Sequence, residues 1–116
     1  GRNSAFVGCR ALSSVTVPSK VREIGYSAFD GCSSLAEVTL PEGLKKLGGG
    51  AFSGCAKLKE LTLPASLEEM GDFVLDFCSS LQKVTVLNPN LEFLSLLPWA
   101  HSAGPSPCSI RLFYLP

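Results

Sequence analysis

Apolar and polar residues along this chain recur in a fixed order every 23 positions. Leu12, Leu35, Leu58 and Leu81 share one column, and Val15, Val38, Leu61 and Val84 share the next. Val17, Leu40, Leu63 and Val86 form a third, separated from the second by an unbroken column of Thr16, Thr39, Thr62 and Thr85. The Leu-x-x-Val-Thr-Val/Leu-Pro segment alternates apolar and polar residues at period two, which predicts a short strand with one buried face. Pro18, Pro41 and Pro64 then end it, because proline lacks the N–H that a strand ladder uses. Val21, Leu44 and Leu67, followed by Ile24, Leu47 and Met70, carry the chain round an edge to a turn at Gly25, Gly48 and Gly71. The Ala-Phe-x-Gly-Cys-x-x-Leu segment spaces its apolar residues three and four apart, which predicts a helical or 3-10 return.

One unit alone buries too few side chains to offset the ordering of its backbone. Stacking removes the deficit, since each coil covers its neighbours and pairs their strands in parallel. That arrangement sets Thr39 beside Thr62, and Cys32 near Cys55 in a shared interior.

Residues 24–41 and 47–64 follow the order Ile/Leu-Gly-x-x-Ala-Phe-x-x-Cys-x-x-Leu-x-x-Val/Leu-x-Leu-Pro. This resembles the BspA-type leucine-rich repeat. The resemblance implies an α/β repeat fold, a leucine-rich-repeat solenoid of about five coils, each with one short parallel strand and a helical or 3-10 return. It also implies a non-enzymatic, protein-binding module of the adhesion or surface-recognition type. A surface or secreted location follows from the resemblance alone. The array is expected over residues 1–93, with a divergent terminal repeat or cap over 94–116. Gly1-Arg2-Asn3-Ser4 begins inside a unit, so the chain is expected to be a piece of something longer.

The pattern breaks in the fourth unit. Val74 and Leu75 replace Ala-Phe, Phe77 stands in the column of Gly8, Gly31 and Gly54, and Phe73 in that of Ser27 and Gly50. Four apart on a helical return, Phe73 and Phe77 share a face and need a cover. The Leu-rich segment 91–99 supplies Leu94, Leu97 and Trp99, either as a terminal cap closing the core or as the docking surface of a larger assembly. Beyond Gly104-Pro105-Ser106-Pro107, residues 110–114 read as a last strand within 109–114, three positions late.

Composition narrows the function. The 116 residues are 46% apolar and 17% charged with zero net charge, so no basic footprint for nucleic acid exists. The longest apolar stretch, 91–100, is interrupted by Glu92, Ser95 and Pro98, too short and too broken for a transmembrane segment.

Candidate chemistry adds little. Cys9, Cys32, Cys55 and Cys78 sit 23 apart, unlike a zinc site, and are read as small apolar packing residues with disulfides between neighbouring coils as the alternative. Cys108 falls outside that column, and the single histidine, His101, has no orienting partner for nucleophilic catalysis. Gly48-Gly49-Gly50 precedes no Lys-Ser/Thr and is read as a turn rather than a phosphate loop. No cofactor, metal or small-molecule substrate is expected. The candidate binding face is the column Thr16, Thr39, Thr62 and Thr85 with Glu37, Glu60 and Lys83 beside it, the last two as cross-strand neighbours. Its plainer role is a sheet-favouring threonine ladder. The candidate docking or cap patch is Phe73, Phe77, Leu94, Leu97 and Trp99.

Overall fold

The computed structural model describes residues 4–91 and the backbone of residues 111–114. Its main strands are β1 (Ser14–Thr16), β3 (Glu37–Thr39), β5 (Glu60–Leu63), β7 (Lys83–Val86) and β8 (Arg111–Tyr114). Between them lie shorter edge strands, β2 (Glu23–Ile24), β4 (Lys46–Leu47) and β6 (Glu69–Met70). All described pairs are parallel, and within the repeat the partners stand one unit apart: Val15 faces Val38, Ile24 faces Leu47, and Leu61 faces Val84. The chain is therefore a parallel solenoid, as the 23-residue spacing predicts.

The edge is more regular than its sequence suggests. β2, β4 and β6 form a continuous second ladder, so each coil pairs with the next along two sides. Amides of Val21, Leu44 and Leu67 close turns onto the carbonyls of Pro18, Pro41 and Pro64 at 3.0–3.2 Å. These turns swing the chain from main strand to edge strand.

The return is not helical among the described residues; it is a run of tandem turns. Amides of Ala28, Asp30 and Cys32 bond three residues back, to the carbonyls of Gly25, Ser27 and Phe29 at 3.1–3.2 Å. The alternate amides, of Ser27, Phe29 and Gly31, leave the coil and donate to Gly49, Ala51 and Ser53 of the next, each at 2.8 Å. A helix would need all of them internally. The chain makes this alternation by taking a left-handed residue every four positions, at Ser27 and Gly31, Gly50 and Gly54, and Phe73 and Phe77. Spacing of three and four thus reports turns of four residues, and Phe73 and Phe77 share a backbone conformation rather than a helical face.

The core runs through the coils. Leu35, Leu58 and Leu81, with Leu44, Leu47, Leu61, Leu63 and Leu67, are buried. Phe6, Phe29 and Phe52 stack with centroids 5.1 and 5.3 Å apart and planes within 5° of parallel. Val74 and Leu75 fill the Ala-Phe positions in the fourth unit and are buried. Cys32, Cys55 and Cys78 are buried free thiols that donate to the carbonyl oxygens of Phe6, Phe29 and Phe52 at 3.1, 3.5 and 3.2 Å. The thiol column is therefore a set of weak hydrogen bonds between coils as well as packing.

Two further expectations need correction. Thr39 and Thr62 are not paired: β3 bonds β1, β5 bonds β7, and no ladder joins β3 to β5. At this junction the repeat would set two carboxylates, Glu37 and Glu60, directly opposite. Elsewhere Ser14 faces Glu37 and Glu60 faces Lys83. Like charges in that position oppose pairing. The stack holds here through β4, through the turn bonds and through the core. The last strand is also later than its composition suggests. Leu112 pairs with Val84, 28 positions on instead of 23, so the insertion is five residues and not three. In that register Leu112 and Tyr114 stand level with Val84 and Val86, and Phe113 with Thr85.

Candidate functional site

The main strands position the threonine column. Alternation along each strand turns Val15, Val38, Leu61 and Val84 toward the core and the threonines away from it. Thr16, Thr39 and Thr62 are exposed, and Thr85 is half-buried. Glu37 and Glu60 are exposed beside them, and Lys83, half-buried, is the register partner of Glu60. Within residues 4–91 this face carries no aromatic side chain: Ser14, Glu37, Glu60 and Lys83 stand two positions before the threonines, and the register sets Phe113 level with Thr85 at the end of the column.

The missing β3–β5 ladder shapes this face. A groove of about 660 Å³ lies there, lined by Glu37, Thr39, Lys59, Glu60, Thr62 and Gln82. Beyond it Gln82 and Lys83 donate to the Lys59 carbonyl at 2.7 and 3.2 Å, restoring the ladder. Both carboxylates of the candidate site therefore meet at one place, on either side of an unpaired strand edge.

The edge ladder carries mixed charges. Lys45 approaches Glu68 at 3.6 Å and Lys46 approaches Glu69 at 3.9 Å, with all four side chains more than half exposed. Such pairs contribute up to about 1 kcal/mol each and mark a solvated rim rather than an acid–base dyad.

The second candidate patch is only partly within the described residues. Phe73 and Phe77 are 54% and 52% exposed, on the turn side of the core. Leu94, Leu97 and Trp99 lie outside the described residues, as do His101 and Cys108. Reading the sequence by columns missed Tyr26, which is 62% exposed on the same side as Phe73. The available signal was its column, shared with Gly49 and Asp72, none of them apolar core residues.

The interior thiols are unsuited to nucleophilic chemistry. Burial pushes the Cys78 thiol up to about 12, and raises Cys55 further and Cys32 in the same direction. A reactive cysteine needs the opposite shift. Among the described residues no group of three His, Cys, Asp or Glu is placed to hold a metal ion. No helix among them is long and apolar enough to cross a membrane.

Comparison with known proteins agrees with this geometry. The BspA type leucine rich repeat region matches residues 2–95, in six copies. Among solved structures, a leucine rich repeat protein from T. pallidum is 34% identical over 72% of this chain, with a TM-score of 0.52. A leucine-rich repeat protein from Bacteroides ovatus is 26% identical over 78% of this chain, with a TM-score of 0.46. The chain spans 50% and 35% of the lengths of those two proteins. No curated protein matches it.

Proposed function

Since the chain belongs to the BspA-type leucine-rich repeat family, we propose that it is a non-enzymatic protein-binding module of the adhesion or surface-recognition type. Repeat modules of this kind serve as interaction scaffolds, and fold alone does not choose the partner. The observation that carries the reading is the polar strand face with its groove between β3 and β5. Glu37 and Glu60 supply acceptors there, Lys59 a cation, and Thr39 and Thr62 short hydroxyls. Few aromatic anchors stand on this face, so binding is expected to be polar, salt-sensitive and weak per coil.

The test uses the intact chain as bait beside a Glu37→Lys/Glu60→Lys variant of unchanged fold. A protein retained by the native chain and lost by the variant supports the strand face. Equal retention by both removes it.

A second reading is favoured by Phe73 and Phe77, two large apolar side chains left half exposed. In it the chain is an accessory subunit docked into a larger assembly through its C-terminal apolar region. Phe77→Ser separates the two: it abolishes docking of that kind and leaves strand-face binding intact.

A further inference from the structure

Residues 48–50 are three consecutive glycines, where the units on either side carry Gly25-Tyr26-Ser27 and Gly71-Asp72-Phe73. The coil requires only part of this. At Gly48 a Cβ would lie 2.6 Å from the Gly25 carbonyl carbon and the Tyr26 nitrogen, so no side chain fits. Gly50 is left-handed, yet Ser27 and Phe73 take the same conformation in the same column. Gly49 is not left-handed, and a Cβ there would meet the Tyr26 ring and the Asp72 carbonyl at 3.3 Å, so these neighbours would have to shift slightly to admit a side chain. Its column holds tyrosine and aspartate in the neighbouring units. The floor at Gly49 is thus shared by the Tyr26 ring and the Asp72 carbonyl, and at Gly50 the fold tolerates a side chain, as Ser27 and Phe73 show.

That space is a groove of about 590 Å³ one coil wide. Gly48, Gly49, Gly50 and Gly71 line its base, and Tyr26 and Phe73, residues 62% and 54% exposed, line it from the flanking coils. Its charged groups are Asp30, Asp72 and Lys46. The ammonium of Lys46 is drawn toward Glu69 at 3.9 Å, on the neighbouring edge strand, so the balance inside the groove is negative.

We propose that this groove is a docking site for an arginine side chain presented by a partner protein. A guanidinium is flat, stacks on aromatic faces and pairs with carboxylates, and the groove offers two rings, two carboxylates and a base without side chains. The two carboxylates disfavour phosphate-bearing partners, which separates this site from a nucleic-acid surface. It lies on the turn side of the core and uses none of the strand-face residues, so it stands or falls independently of that reading.

The probe is acetyl-Gly-Arg-Gly-amide, titrated into the ¹⁵N-labelled chain while amide shifts are followed, with acetyl-Gly-Gln-Gly-amide and maltotriose as comparators. The arginine peptide is expected to move the amides of Gly48, Gly49, Gly50 and Asp72, and the glutamine peptide and the sugar are not. Asp30→Asn/Asp72→Asn is expected to remove the response, and Tyr26→Ala to weaken it about threefold. If the doubly substituted chain does not fold, Tyr26→Ala decides alone, its fold being checked by the dispersion of its amide spectrum. Shifts scattered over the surface, no shifts at all, or an equal response to the glutamine peptide overturn the proposal. A response to maltotriose that exceeds the peptide's overturns it in favour of a carbohydrate site.

Discussion

The thiol of Cys78 donates to the main-chain carbonyl of Phe52, one coil earlier, at 3.2 Å inside the core. A side chain that reads as simple packing thus also satisfies a buried carbonyl. Replacing Cys78 with alanine leaves that carbonyl one partner short and opens a small void, at a cost of about 1–2 kcal/mol. Serine keeps a donor in the same place and is expected to recover part of the loss. Urea midpoints of the two variants measure the difference; equal losses would show that the thiol acts by volume alone.

The same burial makes the fold sensitive to alkali. An ordinary thiol titrates near 9.0, and burial raises Cys78 to about 12, with Cys55 shifted further the same way. Between those values the unfolded chain has released protons that the folded chain retains. The thiols' contribution is therefore complete below about pH 9 and declines as pH rises toward about 12, by up to about 1.4 kcal/mol per pH unit for each thiol. Under reducing conditions, stability above about pH 9 is expected to fall more steeply in the native chain than in a Cys55→Ala/Cys78→Ala variant. Parallel curves would assign the alkaline loss to other groups.

Phe77 occupies a left-handed conformation at φ 58, in a column where Gly31 and Gly54 take φ 77 and 75. A side chain in that region costs about 1–2 kcal/mol, and little is lost by removing one that is 52% exposed. Phe77→Gly is therefore expected to stabilise the isolated chain by about 0.5–1 kcal/mol after the entropy of the added glycine. A fall in melting temperature would mean that Phe77 gains more from contact than its conformation costs.

Gly48 and Gly49 are adjacent and predict opposite tolerance. Alanine at Gly48 drives its Cβ to 2.6 Å from backbone atoms of Gly25 and Tyr26, which cannot move without opening the coil. A loss of about 1–3 kcal/mol is expected, against a small change for Gly49→Ala, whose closest contacts are at 3.3 Å. Thermal melts of both variants decide this, and equal losses would show that the neighbours of Gly49 yield no more easily than those of Gly48.

Hydrogen exchange reads the interrupted sheet directly. Amides of Gln82 and Lys83 bond the Lys59 carbonyl, whereas no ladder joins β3 to β5. Protection is expected at Gln82 and Lys83 and not at Lys59 and Glu60. Glu37→Gln removes the like-charge opposition and is expected to raise protection at Glu60. Protection already equal at both junctions in the native chain would show the sheet to be continuous.

Much of this architecture was legible in the columns. Leu35 and Leu58 are buried, Val38 and Leu61 turn inward, and Thr39 and Thr62 turn outward, all from spacing alone. The candidate sites were less so. Identical positions meet when coils stack, so a repeat reveals its shared interior, but it is silent where a column changes character. Tyr26, Gly49 and Asp72 form such a column, and only their juxtaposition makes a groove.

By itself the sequence determined which residues share the core, the parallel order of the strands and the length of each coil, because a strict period of 23 leaves one way to align its apolar positions. Tertiary structure alone decided how each amide is spent, within its own turn or on the next coil, and so made the return a chain of turns instead of a helix. It also decided that the main ladder breaks where Glu37 and Glu60 would come opposite one another. Hydrogen bonds and like-charge contacts between coils depend on the distance from one backbone to the next, a quantity that exists only after the units have stacked.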